Sequence, residues 1–162
     1  MLIVCTKDQT IVDWTKSSES GAKAWGELVI LDPGLSQMDA TIQLVDALKR
    51  LADPLCLSAH GNDTEIGDEG SGGKYWTWTY KQLASHFLQA PGSYKGPVLI
   101  HACAKSISNF STYLVLALQE IKELDGAWIY GYNTAIGSEQ RYPDPNKLGI
   151  QADVQGALVN VP

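Results

Sequence analysis

Short apolar runs alternate along this chain with amphipathic stretches of helical periodicity, and this alternation limits the folds open to it more than any other feature. Strands that alternate with helices are typical of an α/β domain with a mainly parallel sheet. The sequence therefore predicts a parallel sheet of five to six strands. The runs that have strand character are residues 2–5 (LIVC), 27–32 (ELVILD), 54–60 (PLCLSAH), 98–103 (VLIHAC), 127–132 (AWIYGY) and, as a sixth edge strand, 157–161 (ALVNV).

Three amphipathic stretches between these runs predict helices. Ser36 with Asp39, and Thr79 with Gln82, have the spacing of capping boxes, so helices are expected to begin after Ser36 and after Thr79. Residues 110–124 follow the 3.6-residue period most regularly. The polar and glycine-rich segment after residue 60 predicts a loop or a small hairpin. The inner face expected for the first helix consists of Met38, Ile42, Val45, Leu48 and Ala52.

Composition indicates one compact domain that spans residues 1–162. Hydrophobic residues make up 44% of the 162 residues and charged residues 19%, which suits a single domain with a substantial core. The formal net charge of −6 disfavours phosphate backbones and anionic membrane surfaces as partners. No nucleic acid and no membrane are therefore expected to bind.

The chain start and the cysteine count bear on the compartment. The first residues, MLIVCTKDQT, have no basic lead-in and too short an apolar run for a signal peptide, so a cytoplasmic location is expected. The three cysteines stand singly, without the spacing of a disulfide framework or a metal knuckle. Cys5 and Cys56, inside predicted strands, are interpreted as core residues.

Two chemically active residues end neighbouring predicted strands. His60 closes the run at 54–60 and Cys103 closes the run at 98–103, and a single crossover joins these strands. Since parallel strands deliver their carboxyl ends to one rim, where ligands of open sheets bind, the two side chains are expected to lie together. A thiolate and an imidazole can cleave an amide through a thioester. Gly61 would let a backbone N–H approach the oxyanion, and Lys105 is expected to favour the thiolate.

An apolar block ending in His-Gly, then a hairpin and helix, then an apolar block ending in Ala-Cys, resembles the caspase-like cysteine peptidases, the group that includes caspases and metacaspases. The resemblance covers residues 54–132 and, in element order only, the flanks. It implies a three-layer α-β-α sandwich and a protein or peptide substrate, without cofactor or metal. It also implies Cys103 as nucleophile, His60 as acid and base, and Gly61 as an oxyanion contributor, commonly without an acidic third residue.

The chain departs from that family at two points. Only Asp125 and Gly126 separate the predicted helix from the fifth strand, so activation by cleavage of a linker there is not expected. The position that helps to line the family's primary specificity pocket is His101 here. His101, together with Asn133 after the fifth strand and Trp76 in the aromatic stretch 75–80, is the predicted substrate-binding set.

Alternative hypotheses remain beside the peptidase. The same pair could carry out acyl transfer or self-processing, and an inactive relative would keep the fold as an interaction module. His60, His101 and Cys103 together would offer three zinc ligands with water in the fourth position. The acidic segment 62–69 could hold calcium, although it lacks the EF-hand spacing and a solvated loop is the better interpretation.

Overall fold

A computed structural model describes residues 1–52, 54–70, 74–103 and 108–161. The strands in these ranges are β1 Leu2–Val4, β2 Leu28–Ile30, β3 Leu55–Gly61, β4 Glu65–Gly67, β5 Thr77–Thr79, β6 Val98–Cys103, β7 Trp128–Tyr132 and β8 Val154–Leu158. The α-helices are α1 Gln9–Lys16, α2 Gln37–Leu48, α3 Tyr80–Phe87 and α4 Phe110–Ile121, and short 3-10 helices cover Ala22–Trp25 and Pro145–Ile150.

The central sheet has the strand order β2-β1-β3-β6-β7-β8. The first five strands of this order are parallel, and β8 pairs antiparallel with β7 as the edge strand. Strands β4 and β5 form an antiparallel hairpin attached to the end of β3. The predicted α/β class with a mainly parallel sheet of five to six strands is thereby confirmed.

Helices cover both faces of this sheet. On one face α2, α3 and α4 pack Leu44, Phe87 and Leu114 against the strands. On the other face, α1 contributes Ile11, and the 3-10 helix at Ala22–Trp25 contributes Trp25. The result is a three-layer sandwich. In the described ranges, no helix has both the length and the apolar character needed to cross a membrane.

Local signals set the helix starts correctly but not every helix face. Ser36 caps α2 by accepting from the Asp39 amide, and Thr79 and Gln82 complete the predicted capping box of α3. The inner face predicted for α2 is wrong in part, since Met38 and Ile42 are 71% and 53% exposed. The residues that α2 buries are Ala40, Leu44, Ala47 and Leu48. Of these, only Leu48 belongs to the predicted inner face.

Two further elements differ from the sequence-based expectations. The sequence patterns do not predict helix α1, because its eight residues bury only Ile11, Val12 and Thr15 and are too few for a long periodic signal. Strand β8 begins three residues earlier than the predicted edge strand at 157–161. Only Val154 of β8 is buried, so hydrophobic patterning carries little information about its boundaries.

Candidate functional site

His60 and Cys103 are in register at the carboxyl ends of two adjacent parallel strands. Strand β3 pairs with β6 along six residues, and the last pair of this ladder is His60 with Cys103. Neighbouring strands lie about 4.8 Å apart, and in-register residues of a parallel pair point to the same face. The sequence-based expectation that one rim carries both side chains agrees with this register.

An aspartate that the sequence reasoning missed holds the imidazole of His60. The Nε2 atom of His60 lies 2.7 Å from Oδ2 of Asp8, the residue that precedes α1. The other carboxylate oxygen, Oδ1, accepts hydrogen bonds from the amides of Thr10 and Ile11. Asp8 is thus the N-cap of α1 and the partner of His60 at once. A usable signal was present, since an Asp before the amphipathic segment QTIVDWTK is a helix-start pattern.

Opposing effects act on the charge of Asp8. Partial burial favours the neutral carboxylic acid, but hydrogen bonds from His60, Thr10 and Ile11, and the charge of His60, outweigh it and lower the pKa of Asp8. The first turn of α1 adds a favourable environment for a negative charge. The carboxylate is therefore stabilised in its ionised form beside the imidazole.

An open cleft of about 510 Å³ adjoins the pair. His60, Gly61 and Cys103 line its floor, and the β3–β4 connection and the segment after β7 form its walls. Ser138, in that second wall, brings its Oγ to 3.6 Å from the Cys103 Sγ. No pattern in the sequence distinguishes Ser138 from other loop serines. Lys105, expected to favour the thiolate, lies outside the described residues.

The three thiols have different surroundings. Cys103 is half-buried and faces the cleft, whereas Cys5 and Cys56 are fully buried. Burial raises the pKa of the Cys5 thiol to about 12 and also raises the pKa of Cys56. The interpretation of Cys5 and Cys56 as core residues is confirmed, and they are inert thiols against which the reactivity of Cys103 can be measured.

His101 lies one step below the rim and does not reach the cleft. It is 3% exposed and packs its ring on Tyr132 and Tyr142 with centroids 5.4 Å and 4.3 Å away, and among the residues that the structure describes its Nε2 has no hydrogen-bond partner. The buried hydroxyl of Tyr132 also has no partner in the described ranges. Burial lowers the pKa of His101 to about 4, against the opposing effect of hydrogen bonds with the backbone of His101, Gln140 and Arg141.

The structure does not support the zinc and calcium hypotheses. In the described ranges, no three His, Cys, Asp or Glu side chains come close enough to hold a metal ion. His60, His101 and Cys103 therefore do not form the zinc triad considered above. In the acidic segment, Asp68 has both carboxylate oxygens engaged by the Thr6 hydroxyl and the Lys7 and Trp76 amides. The Asp68 carboxylate thus links the residues that precede α1 to the β4–β5 hairpin through hydrogen bonds.

Gly61 lines the cleft, but packing alone also explains why this position is glycine. A Cβ added there would lie 2.8 Å from the Ala102 Cβ and 3.2 Å from Cγ2 of Ile66, on the face away from His60. The role of the Gly61 amide as an oxyanion donor stays a prediction.

Trp76 and Asn133 are not among the residues that line the cleft. Trp76 is fully buried, and its indole N–H donates to the Leu35 carbonyl at 3.1 Å. Asn133 is exposed and donates through Nδ2 to the Ala152 carbonyl at 3.0 Å, on the connection that leads into β8. The substrate contacts predicted for both residues have no support in this geometry.

Comparison with known proteins does not assign a function to this site. No protein-family model matches the sequence, and a search of curated proteins finds no match. What indicates a function is therefore the motifs of the sequence and the arrangement of His60, Cys103 and Asp8.

Proposed function

We propose that the protein is a cysteine endopeptidase in which Cys103 is the nucleophile and His60 the general acid and base. The observation that carries the proposal is the register of β3 and β6, which puts His60 beside Cys103 on the floor of an open cleft. A thiol and an imidazole on adjacent strand ends provide the two groups that peptide cleavage through a thioester requires.

The proposed reaction assigns different tasks to the two ring nitrogens of His60. Nε2 is held by Asp8, so Nδ1 takes the proton from the Cys103 thiol. The thiolate adds to the scissile carbonyl carbon, and the carbonyl π electrons move to oxygen, where the amides of Gly61 and Cys103 are the proposed donors. The C–N bond then breaks, and the leaving nitrogen receives the proton from Nδ1, which gives an amine and a thioester on Cys103.

Water completes the turnover at the same atoms. It adds to the thioester carbonyl while Nδ1 removes its proton, the C–S bond breaks, and the released thiolate recovers that proton. The product leaves as a carboxylic acid and Cys103 is regenerated. No redox partner or cofactor enters this sequence of steps.

The shape of the cleft supports a peptide substrate over an inactive interaction module. The cleft is open along the end of the sheet, and the half-buried Cys103 is one of the residues that line it. A polypeptide in extended conformation could lie across the floor between the β3–β4 connection and the segment at 136–138. A module that only bound a partner would not need an accessible thiol next to an imidazole.

Thiol labelling of the native protein tests the proposal. With iodoacetamide between pH 5 and pH 9, followed by peptide mass spectrometry, we expect adducts on Cys103 while Cys5 and Cys56 in the same molecule stay unmodified. His60→Ala should slow labelling of Cys103 at pH 7 by at least about tenfold. Labelling of all three thiols at similar low rates would contradict the proposal.

A peptide-library cleavage profile then distinguishes the peptidase from the inactive module. We expect cleaved peptides with the wild-type chain and none with Cys103→Ala, which keeps the fold but lacks the nucleophile. If Cys103 reacts with iodoacetamide in a His60-dependent manner but no peptide is cleaved, the interaction module is the better description.

A further inference from the structure

The side chain of Asp8 is fixed in place more tightly than a helix cap requires. Its Oδ1 accepts from the Thr10 amide at 2.7 Å and from the Ile11 amide at 3.4 Å, which orients the carboxylate and leaves Oδ2 for His60. The contact with His60 is short, and the side chains of Asp8 and His60 are only 30% and 10% exposed. Water therefore screens this pair less than it would screen a surface ion pair.

The backbone that carries Asp8 is anchored from the opposite side. The Asp8 amide donates to the Thr6 hydroxyl at 3.1 Å, and that hydroxyl donates to Oδ1 of Asp68 at 2.9 Å. The Lys7 amide donates to the same oxygen at 2.6 Å, while Oδ2 of Asp68 accepts from the Trp76 amide at 2.8 Å. A continuous set of hydrogen bonds thus runs from the β4–β5 hairpin through the start of α1 to the imidazole.

The contact between Asp8 and His60 selects one form of the ring. A carboxylate only accepts hydrogen bonds, so the neutral imidazole must carry its proton on Nε2 and present the lone pair of Nδ1. When Nδ1 takes a proton, the same carboxylate stabilises the imidazolium. Both effects are required of a group that orients a general base without touching the substrate.

We propose that Asp8 is the positioning residue of His60, so that the site works as a Cys-His-Asp set rather than as a Cys-His pair. This inference rests on the proposed peptidase function. It also gives α1 a role in the proposed reaction, because the helix begins where its N-cap residue, Asp8, can hold the imidazole of His60 on β3.

Two substitutions separate positioning from helix capping. Asp8→Ser keeps a side chain that caps helices well but is too short to reach His60 while it does so. Asp8→Asn keeps both the shape and the capping ability, yet its amide can donate to Nε2 and so favour the tautomer with the proton on Nδ1. Asp13→Asn is the matched control, because it removes a carboxylate from the exposed side of the same helix, where Gln9 is its hydrogen-bond partner.

Two measurements are made on each variant. The first is the ¹⁵N spectrum of the His60 ring above pH 7.5, which reports whether Nε2 or Nδ1 carries the proton. The second is cleavage of the best library peptide, with kcat and KM determined separately, alongside the rate of Cys103 labelling.

We expect wild type and Asp13→Asn to have the proton on Nε2. Asp8→Ser and Asp8→Asn should lose this preference and reduce kcat by roughly 10- to 100-fold, with KM changed by less than about twofold. A capping role alone predicts that Asp8→Asn behaves as wild type. Wild-type ring spectra and kcat in both Asp8 variants would therefore overturn the inference.

Failure of the peptidase proposal has a different signature. If Cys103 of the wild-type chain is labelled no faster than Cys5 and Cys56, and no peptide is cleaved, the proposed function itself is wrong. If labelling depends on His60 and the library peptide is cleaved, but both rates are the same in the two Asp8 variants as in wild type, the peptidase stands and only the positioning role is overturned.

Discussion

Two in-register pairs on the same face of β3 and β6 have opposite properties. His60 and Cys103 form the rim pair, which lines a cleft, and Ser58 and His101 form the buried pair two residues earlier in each strand. The two histidines are chemically the same residue type. His60 has a carboxylate partner at 2.7 Å, whereas His101 packs among aromatic rings and its Nε2 has no hydrogen-bond partner in the described part of the chain.

This contrast shows how position along a strand decides what a histidine can do. At the rim, the strand end leaves space for a helix N-cap to contribute Asp8 and for solvent to reach the ring. One step below, Tyr132 and Tyr142 fill the space, so the ring of His101 is kept neutral by burial. We therefore expect changes at the rim to alter reactivity, and changes in the buried pair to alter stability.

The largest effect expected from the buried pair is a pH dependence of folding that comes from His101. Its pKa is about 4 in the folded protein, against an ordinary value of 6.5. Between these values the unfolded chain takes up a proton that the folded chain excludes, so the free energy of unfolding falls by about 3 kcal/mol as the pH drops from 7 to 4. Above about pH 6.5 neither state holds this proton, and the contribution is fully present.

His101→Phe should remove this dependence, since phenylalanine keeps an aromatic ring between the tyrosines without a titrating group. Urea denaturation at pH 7 and pH 4, followed by tryptophan fluorescence, measures the free energy of unfolding of both proteins. The lowered pKa of Asp8 acts in a separate and more acidic window, below its ordinary value of 3.8. Parallel losses of stability in wild type and His101→Phe between pH 7 and pH 4 would show that His101 is not the source.

A smaller effect on the free energy of unfolding is expected at Tyr142, which connects Ser58 of the buried pair to Thr15 of α1. The Tyr142 hydroxyl lies 2.8 Å from the Ser58 Oγ and 2.7 Å from the Thr15 Oγ1. Tyr142→Phe leaves the buried Ser58 hydroxyl without this partner and should lower the free energy of unfolding by about 1–2 kcal/mol. Cys103 labelling, by contrast, should change by less than about twofold.

A double-mutant cycle with Ser58→Ala provides the control for Tyr142. Once the serine hydroxyl is absent, Tyr142→Phe removes no bond between the two and should cost less than it does in wild type. Additive losses across the cycle would mean that the contact between Ser58 and Tyr142 does not stabilise the fold.

Local patterns were sufficient for the parts of the site that depend on the sheet. The apolar runs that end at His60 and Cys103 indicate two strand ends, and the single crossover between them makes the strands neighbours. The N-cap at Ser36 and the capping box at Thr79 likewise depend on residues three positions apart, so they can be recognised without tertiary information.

The parts that could not be predicted depend on contacts between distant segments. Asp8 and His60 are 52 positions apart, and the sequence around Asp8 indicates a helix cap without indicating what else the carboxylate meets. Trp76 illustrates the reverse case. An aromatic residue in an alternating stretch suits a cleft wall and a core equally, and its burial is decided by packing of the β4–β5 hairpin against the α2 side of the sheet.

The smallest effect is expected at Ser138, which tests the rim side of the comparison. Its Oγ lies 3.6 Å from the Cys103 Sγ, a long and weak contact in a cleft that water can enter. Ser138→Ala should change the free energy of unfolding by less than about 0.5 kcal/mol and the labelling rate of Cys103 by less than about threefold. Because water can replace the lost hydroxyl at the rim but not beside Ser58, the Ser138 variant should be less destabilised than Tyr142→Phe in the same urea titration. A loss of stability as large as that of Tyr142→Phe would mean that the wall at 136–138 is part of the packed core, and that the rim and the buried pair do not differ as proposed.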